Sequence, residues 1–134
     1  MEQKNDNLWP KDFGAPEKIP PVTILRQQAA FLGQLTKNLV EAEVKTTSSG
    51  GTEARFVHYF SLVAPALDFY THCLFFITHD IGFYPLRFIT ENPHRERDIA
   101  SEEELRRVLH EVLTSEETKK VVQSLLSQSM AGVE

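Results

Sequence analysis

The chain has 134 residues, 41% of them hydrophobic and 25% charged, which is typical of one soluble globular domain that buries a single core. The formal net charge of −5 argues against a nucleic-acid-binding protein, because such proteins present a basic face. With one cysteine and no long apolar run, we expect no internal disulfide, no structural zinc site, no signal peptide and no membrane span, and a cytoplasmic location.

The first 21 residues are predicted to form an extended arm. Proline fixes φ and pushes the residue before it into extended conformations, and this segment contains Pro10, Pro16, Pro20 and Pro21. The large apolar side chains of the arm, which pack on the domain or insert into a partner, are Leu8, Trp9, Phe13 and Ile19. Residues 22–130 are then a single α+β domain, and residues 131–134 a frayed C-terminus.

A helix is predicted to begin near Ile24, where Thr23 can serve as its N-cap. Its apolar residues recur at spacings of three and four, which is the pattern of an amphipathic helix. They are Leu25, Ala29, Leu32, Leu35 and Leu39.

An antiparallel meander of four strands is predicted after this helix. Alternating apolar residues and a high content of aromatic and β-branched residues indicate strands at 39–48, 53–63, 68–79 and 83–90. Gly50-Gly51 suits a two-residue hairpin turn, and further turns are expected at Pro65 and at His79 to Gly82. Because Pro85 lies inside the last strand, we expect that strand to be at the edge of the sheet.

The C-terminal part is predicted to be a polar loop at 91–100 followed by two helices packed on the sheet. Ser101 and Glu104 have the spacing of a capping box, and Thr114 with Glu117 starts a second apolar pattern. The sequence leaves open whether these are separate helices or one bent helix.

The predicted hairpin register makes both faces of the sheet apolar. One face is assigned to the core and carries Val40, Ala42, Val44, Val57, Tyr59, Val63, Cys73, Phe75, Ile77, Tyr84, Leu86 and Phe88. The other face mixes charged and apolar residues, namely Glu41, Glu43, Lys45, Phe56, His58, Phe60, Leu62, Tyr70, His72, Leu74, Phe76 and Arg87. Three arrangements would shield this second face from water: a helix of the same chain, a second copy, or a pocket filled by a small apolar ligand.

Few residues indicate catalysis. In the predicted register His58 and His72 share a face, and Glu43 lies opposite His58. Such a set could orient a catalytic base or bind a metal ion. We nevertheless interpret the two histidines as structural residues. Cys73 falls on the predicted core face, where burial makes a thiol unreactive. The sequence contains neither a Gly-x-Ser-x-Gly elbow nor a phosphate-binding loop.

The sequence therefore favours a protein-interaction domain rather than an enzyme, acting by self-association or with a protein partner and without a cofactor. The expected interface or ligand-binding residues are Phe56, His58, Phe60, His72, Leu74, Phe76 and Arg87. The alternative is a small-molecule-binding protein or small enzyme whose sheet–helix pocket contains His58, His72 and Glu43.

Overall fold

The computed structural model describes residues 6–16, 18–49, 55–91 and 93–133 and confirms an α+β fold. Its elements, in chain order, are α1 (Pro21–Leu35), β1 (Glu41–Ser49), β2 (Arg55–Ala64), β3 (Tyr70–His79), β4 (Leu86–Glu91), β5 (His94–Ile99), α2 (Glu102–Leu113) and α3 (Glu116–Val133). A short 3₁₀ turn at Pro65–Leu67 joins β2 to β3, at the break expected from Pro65. The turn after β3 is closed by the Gly82 amide, which donates to the Asp80 carboxylate at 2.8 Å.

The sheet is an antiparallel meander with the strand order β1-β2-β3-β4-β5. Five strands rather than four are present, because His94–Ile99 pairs with β4 along its whole length. This segment was expected to be a loop, since all but its last residue are charged or histidine. Its strand conformation comes from backbone pairing, and its side chains are exposed as far as Asp98. Pro85 precedes β4 rather than lying within it, and β4 is not an edge strand.

The register of the first hairpin differs from the expected one and exchanges the faces of β2. A two-residue turn at Gly50-Gly51 would pair Ser49 with position 52, but Ser49 pairs with Arg55, three positions further along. An odd shift moves every side chain of a strand to the opposite face. The turn itself lies outside the described residues. Val57, Tyr59 and Val63 therefore leave the predicted core face, and Phe60 and Leu62 join Val44 and Ala42.

A second change of face occurs within β3. The pairing of β2 with β3 has a bulge, so Phe60 pairs with Phe75 and Ser61 with Cys73. Leu74 is the extra residue, and His72 returns to the same face as Phe75 because it pairs with Leu62. Cys73, predicted on the core face, lies instead on the face that Ser61 occupies.

All three helices pack on one face of the sheet, which we call the helix face; the opposite face is called the open face. The main core contains three stacked rings, Phe60 and Phe75 with centroids 5.0 Å apart and Phe75 and Phe88 4.4 Å apart. Ile24 and Leu25 of α1 and Leu105, Val108 and Leu109 of α2 belong to the same buried cluster. A second cluster joins Leu125 of α3 to Val40, Leu62 and Ala64.

The N-terminal ends of the helices differ slightly from the predicted ones. Helix α1 begins at Pro21, with Pro20 in the N-cap position, so Thr23 lies inside its first turn. Helices α2 and α3 are separate, and the Ser115 hydroxyl accepts a hydrogen bond from the Thr118 amide at the start of α3.

The backbone of α3 continues to Val133, and Leu8, Trp9 and Phe13 of the arm are exposed. The predicted domain boundaries remain a prediction. Within the described part of the chain, no helix combines the length and apolar character needed to cross a membrane.

Candidate ligand-binding cleft

A cleft of about 370 Å³ lies between the helices on the helix face. Helix α1 packs over β1 at one edge of the sheet and α2 packs beside β5 at the other, and the cleft lies between them. Phe60, Leu62 and Leu74 form the floor of this cleft. The apolar residues of its walls are Ile24, Phe31, Leu32, Leu35, Leu109, Leu113 and Val122.

The second half of α1 explains why the cleft stays open. Ile24 and Leu25, in the first half, are completely buried, whereas Phe31 is 54% and Leu35 82% exposed. The predicted apolar stripe of α1 is therefore buried only in part. Large apolar side chains held in water beside a cavity are unfavourable by about 25 cal/mol per Å² of apolar surface. A bound molecule that covers Phe31 and Leu35 would recover part of this free energy.

Polar groups line the solvent side of the same cleft. Arg106 and His110 lie one turn apart on α2, and Gln28 lies on α1. The Arg106 Nε donates to the Glu102 carboxylate at 3.1 Å, so the other nitrogens of the guanidinium are left for another acceptor. Thr114 and Thr118 also line the cleft, but their hydroxyls donate to the backbone carbonyls of His110 and Val112. Arg106, His110 and Gln28 are therefore the groups available to a polar ligand.

The structure divides the seven site residues predicted from the sequence between the two faces. Phe56, His58, Phe60, His72 and Leu74 belong to the helix face, and Phe76 and Arg87 to the open face. Only Phe60 and Leu74 line the cleft between the helices, and Phe60 is 1% exposed. His72 lines a separate cavity of about 200 Å³ with Arg95 and Arg97.

The predicted grouping of His58, His72 and Glu43 is not formed. His58 instead forms a hydrogen bond with His79, with 2.9 Å between the two Nε2 atoms, and both rings are 3% exposed. The other ring nitrogen of His58 lies 2.8 Å from the Thr46 hydroxyl, and that of His79 lies 2.6 Å from the Asp80 carbonyl oxygen. Glu43 lies on the open face and pairs with Lys45. Burial, then the adjacent His79 and Arg26, lowers the pKa of His58 to about 4.

Among the described residues, no group of three or more His, Cys, Asp or Glu side chains is arranged to hold a metal ion. Burial raises the pKa of the Cys73 thiol and keeps it protonated. Arg97, which donates to Glu111 at 2.8 Å, lowers the pKa of that exposed carboxyl.

The residues that form the helical half of the cleft were not predicted from the sequence. Gln28, Arg106 and His110 are surface positions of amphipathic helices, and such positions are usually only solvated. One signal was present, because Phe31 lies outside the predicted stripe of α1 and would be an exposed aromatic residue without a partner.

None of the protein-family models, curated proteins or solved structures that were compared with the chain matches it.

Proposed function

We propose that this chain is a non-enzymatic binding protein that holds a small amphipathic molecule, with an apolar body and one anionic head, in the cleft between α1 and α2. The observation that carries the proposal is a cavity with an aromatic and aliphatic floor that also has Arg106, His110 and Gln28 among the more exposed residues of its lining. This keeps the sheet–helix pocket expected from the sequence but gives it different polar residues.

The size of the cleft favours a small molecule. Ligand pockets in proteins commonly enclose about 300–1,000 Å³, and a cleft of about 370 Å³ is near the lower end of that range. Its floor is the rigid centre of a five-stranded sheet, so the cavity is formed before a ligand binds. A preformed apolar site reduces the ordering cost of binding.

The charge at the solvent side favours an anionic head. Arg106 provides a fork of donors, of which Glu102 uses one, and His110 and Gln28 provide further polar groups within reach of the same entrance. No Asp, Glu or Cys side chain is among the described residues that line the cleft. A carboxylate would therefore be attracted to the entrance, and the lining offers no thiol nucleophile or carboxylate base to act on it.

Isothermal titration calorimetry with decanoate and with decanol tests the proposal. We expect both probes to bind, and decanoate to bind more tightly than decanol. Arg106→Gln should reduce the ratio of the two affinities by roughly tenfold, because the charge-assisted hydrogen bond to the carboxylate is lost. Leu113→Trp should abolish binding of both probes, because the larger side chain fills the cavity.

Ile81→Trp is the matched control, since Ile81 is 85% exposed in the β3–β4 loop and does not line the cleft. It should bind both probes as the wild type does. The proposal is wrong if neither probe produces a heat of binding and neither shifts the NMR signals of Leu62 and Leu74. It is equally wrong if the Leu113→Trp protein remains folded and binds as before.

A further inference from the structure

The open face carries a row of side chains that runs across all five strands. The pairing of successive strands brings Lys45, Tyr59, Phe76, Ile89 and Glu96 into one line, with one residue from each strand. The three central members are apolar or aromatic, and the two ends carry opposite charges. Tyr59 and Phe76 are in ring contact, with centroids 5.4 Å apart.

This row is unusual for a sheet face in contact with water. An antiparallel sheet with one covered face normally presents polar residues on the other. Here Tyr59 is 38% exposed and Phe76 half-buried, and the helix side chains that enter the core pack on the opposite face. An apolar centre with a charged rim is the arrangement found at protein–protein interfaces.

We infer that the open face binds the open face of a second copy of this chain, around a two-fold axis that runs parallel to the strands. Such an axis reverses the row, so Lys45 faces Glu96 of the partner subunit at both ends. At the centre Phe76 packs against the partner's Phe76. A two-fold axis along the row would instead place Lys45 against the partner's Lys45, and like charges in contact are unfavourable. A row that is complementary to its own reverse favours a second copy in this orientation, although Lys45 and Glu96 also have ion-pair partners within the chain, Glu43 and Arg87.

The neighbouring row contributes a cysteine at the centre of the same face. Glu43 pairs with Ser61, which pairs with Cys73, and His94 lies at the other edge of the sheet. The same rotation places Glu43 opposite His94 of the partner subunit and brings Cys73 close to the partner's Cys73. Packed sheets are about 10 Å apart and nearly aligned, which agrees with an axis along the strands.

A charge-exchange experiment tests the inferred dimer, with its dissociation constant measured by analytical ultracentrifugation. Lys45→Glu and Glu96→Lys should each weaken the dimer by at least about tenfold, because each places two like-charged pairs in the interface. The double variant should dimerise at least about threefold more tightly than either single variant, because the pairs between subunits are opposite in charge again, whereas the pairs of Lys45 with Glu43 and of Glu96 with Arg87 stay broken.

Lys119→Glu is the matched control, because it makes the same change in charge and also breaks an exposed ion pair, that of Lys119 with Glu116. It should leave the dimer unchanged. A short bismaleimide should link two copies through Cys73 in the wild type and not in the Lys45→Glu variant. A wild-type protein that is a monomer at high concentration overturns the inference. So does a dimer that both single variants leave intact, because it would use another surface.

Discussion

At the scale of single residues, the hydrogen bonds of His58 and His79 determine where each proton lies. The Asp80 carbonyl oxygen only accepts, so His79 donates from Nδ1 and its Nε2 is free to accept from His58 Nε2. His58 Nδ1 then accepts from the Thr46 hydroxyl. The chain Thr46–His58–His79–Asp80 is thus satisfied only while both rings are neutral. It links β1, β2, β3 and the turn that follows.

A loss of stability in mild acid follows from this pair. In the folded protein the pKa of His58 is about 4, against 6.5 in an exposed histidine, so the unfolded chain binds a proton first. The contribution of neutral His58 to the free energy of unfolding is complete above pH 6.5 and is lost as the pH falls to about 4. The loss is at most about 3 kcal/mol. Urea denaturation across this range should show the decline.

Two variants separate this effect from general acid denaturation. His58→Leu should flatten the profile between pH 6.5 and 4, while His94→Gln, at an exposed position of β5, should retain the wild-type slope. Equal slopes in all three proteins would show that the pair does not cause the pH dependence.

The sequence alone could not identify this pair. In the predicted register His58 lies near Glu43, and His79 is only the last residue of a predicted strand. Only the actual pairing, with Phe56 opposite His79 and His58 opposite Ile77, brings the two rings together. Histidines separated by 21 positions have no local signal of contact.

At the scale of secondary-structure elements, two serines begin the helices that form one wall of the cleft. The Ser101 hydroxyl accepts from the Glu104 amide at 3.2 Å, as the capping box predicted. At the start of α3 the expected pair of Thr114 and Glu117 is replaced by Ser115 and Thr118. Ser115 and Thr118 also donate to the Val112 carbonyl oxygen, which ties the end of α2 to the start of α3.

Replacing Ser115 should weaken this junction. We expect Ser115→Ala to lower the free energy of unfolding by about 1 kcal/mol, because an N-cap and a carbonyl contact are lost together. Ser127→Ala is the control, since it is exposed within α3 and alanine is a better helix former. Chemical denaturation of both variants measures the difference. A Ser115→Ala protein as stable as the control would show that the cap contributes nothing.

Helices and turns were predictable because their signals are local, whereas the sheet register was not. The Ser101 cap, the apolar stripe of α2, the break at Pro65 and the turn after His79 all depend on residues close in sequence. The register depends on the length of a connection and on a bulge at Leu74, and neither leaves a clear pattern. Strand β5 was missed because its charged side chains resemble those of a solvated loop.

At the scale of the whole molecule, one layer of helices gives the sheet two faces with different exposure. The cleft uses Phe60 and Leu74 of the helix face, and the inferred dimer uses Tyr59 and Phe76 of the open face. Neighbouring residues of the same strands thus serve two sites that do not overlap. Successive side chains of a strand point to opposite faces, and this alternation separates the two sites although both use the central strands of the sheet.

Independence of the two sites is the prediction at this scale. Leu113→Trp should leave the dissociation constant of the dimer unchanged, and Lys45→Glu should bind decanoate with the wild-type affinity. Sedimentation of the first variant and calorimetry of the second give the comparison. A loss of decanoate binding in the Lys45→Glu monomer would instead indicate that the cleft needs the partner subunit.

The outermost strands of the meander limit how many copies can join. Strand β1 has Glu41, Glu43 and Lys45 on one side, and β5 is charged or histidine from His94 to Asp98. Charged side chains along a free border oppose the addition of a strand from another molecule, which is the step that begins amyloid growth. The inferred self-association through the broad surface of the sheet would therefore end with a closed pair, and growth into fibrils is disfavoured.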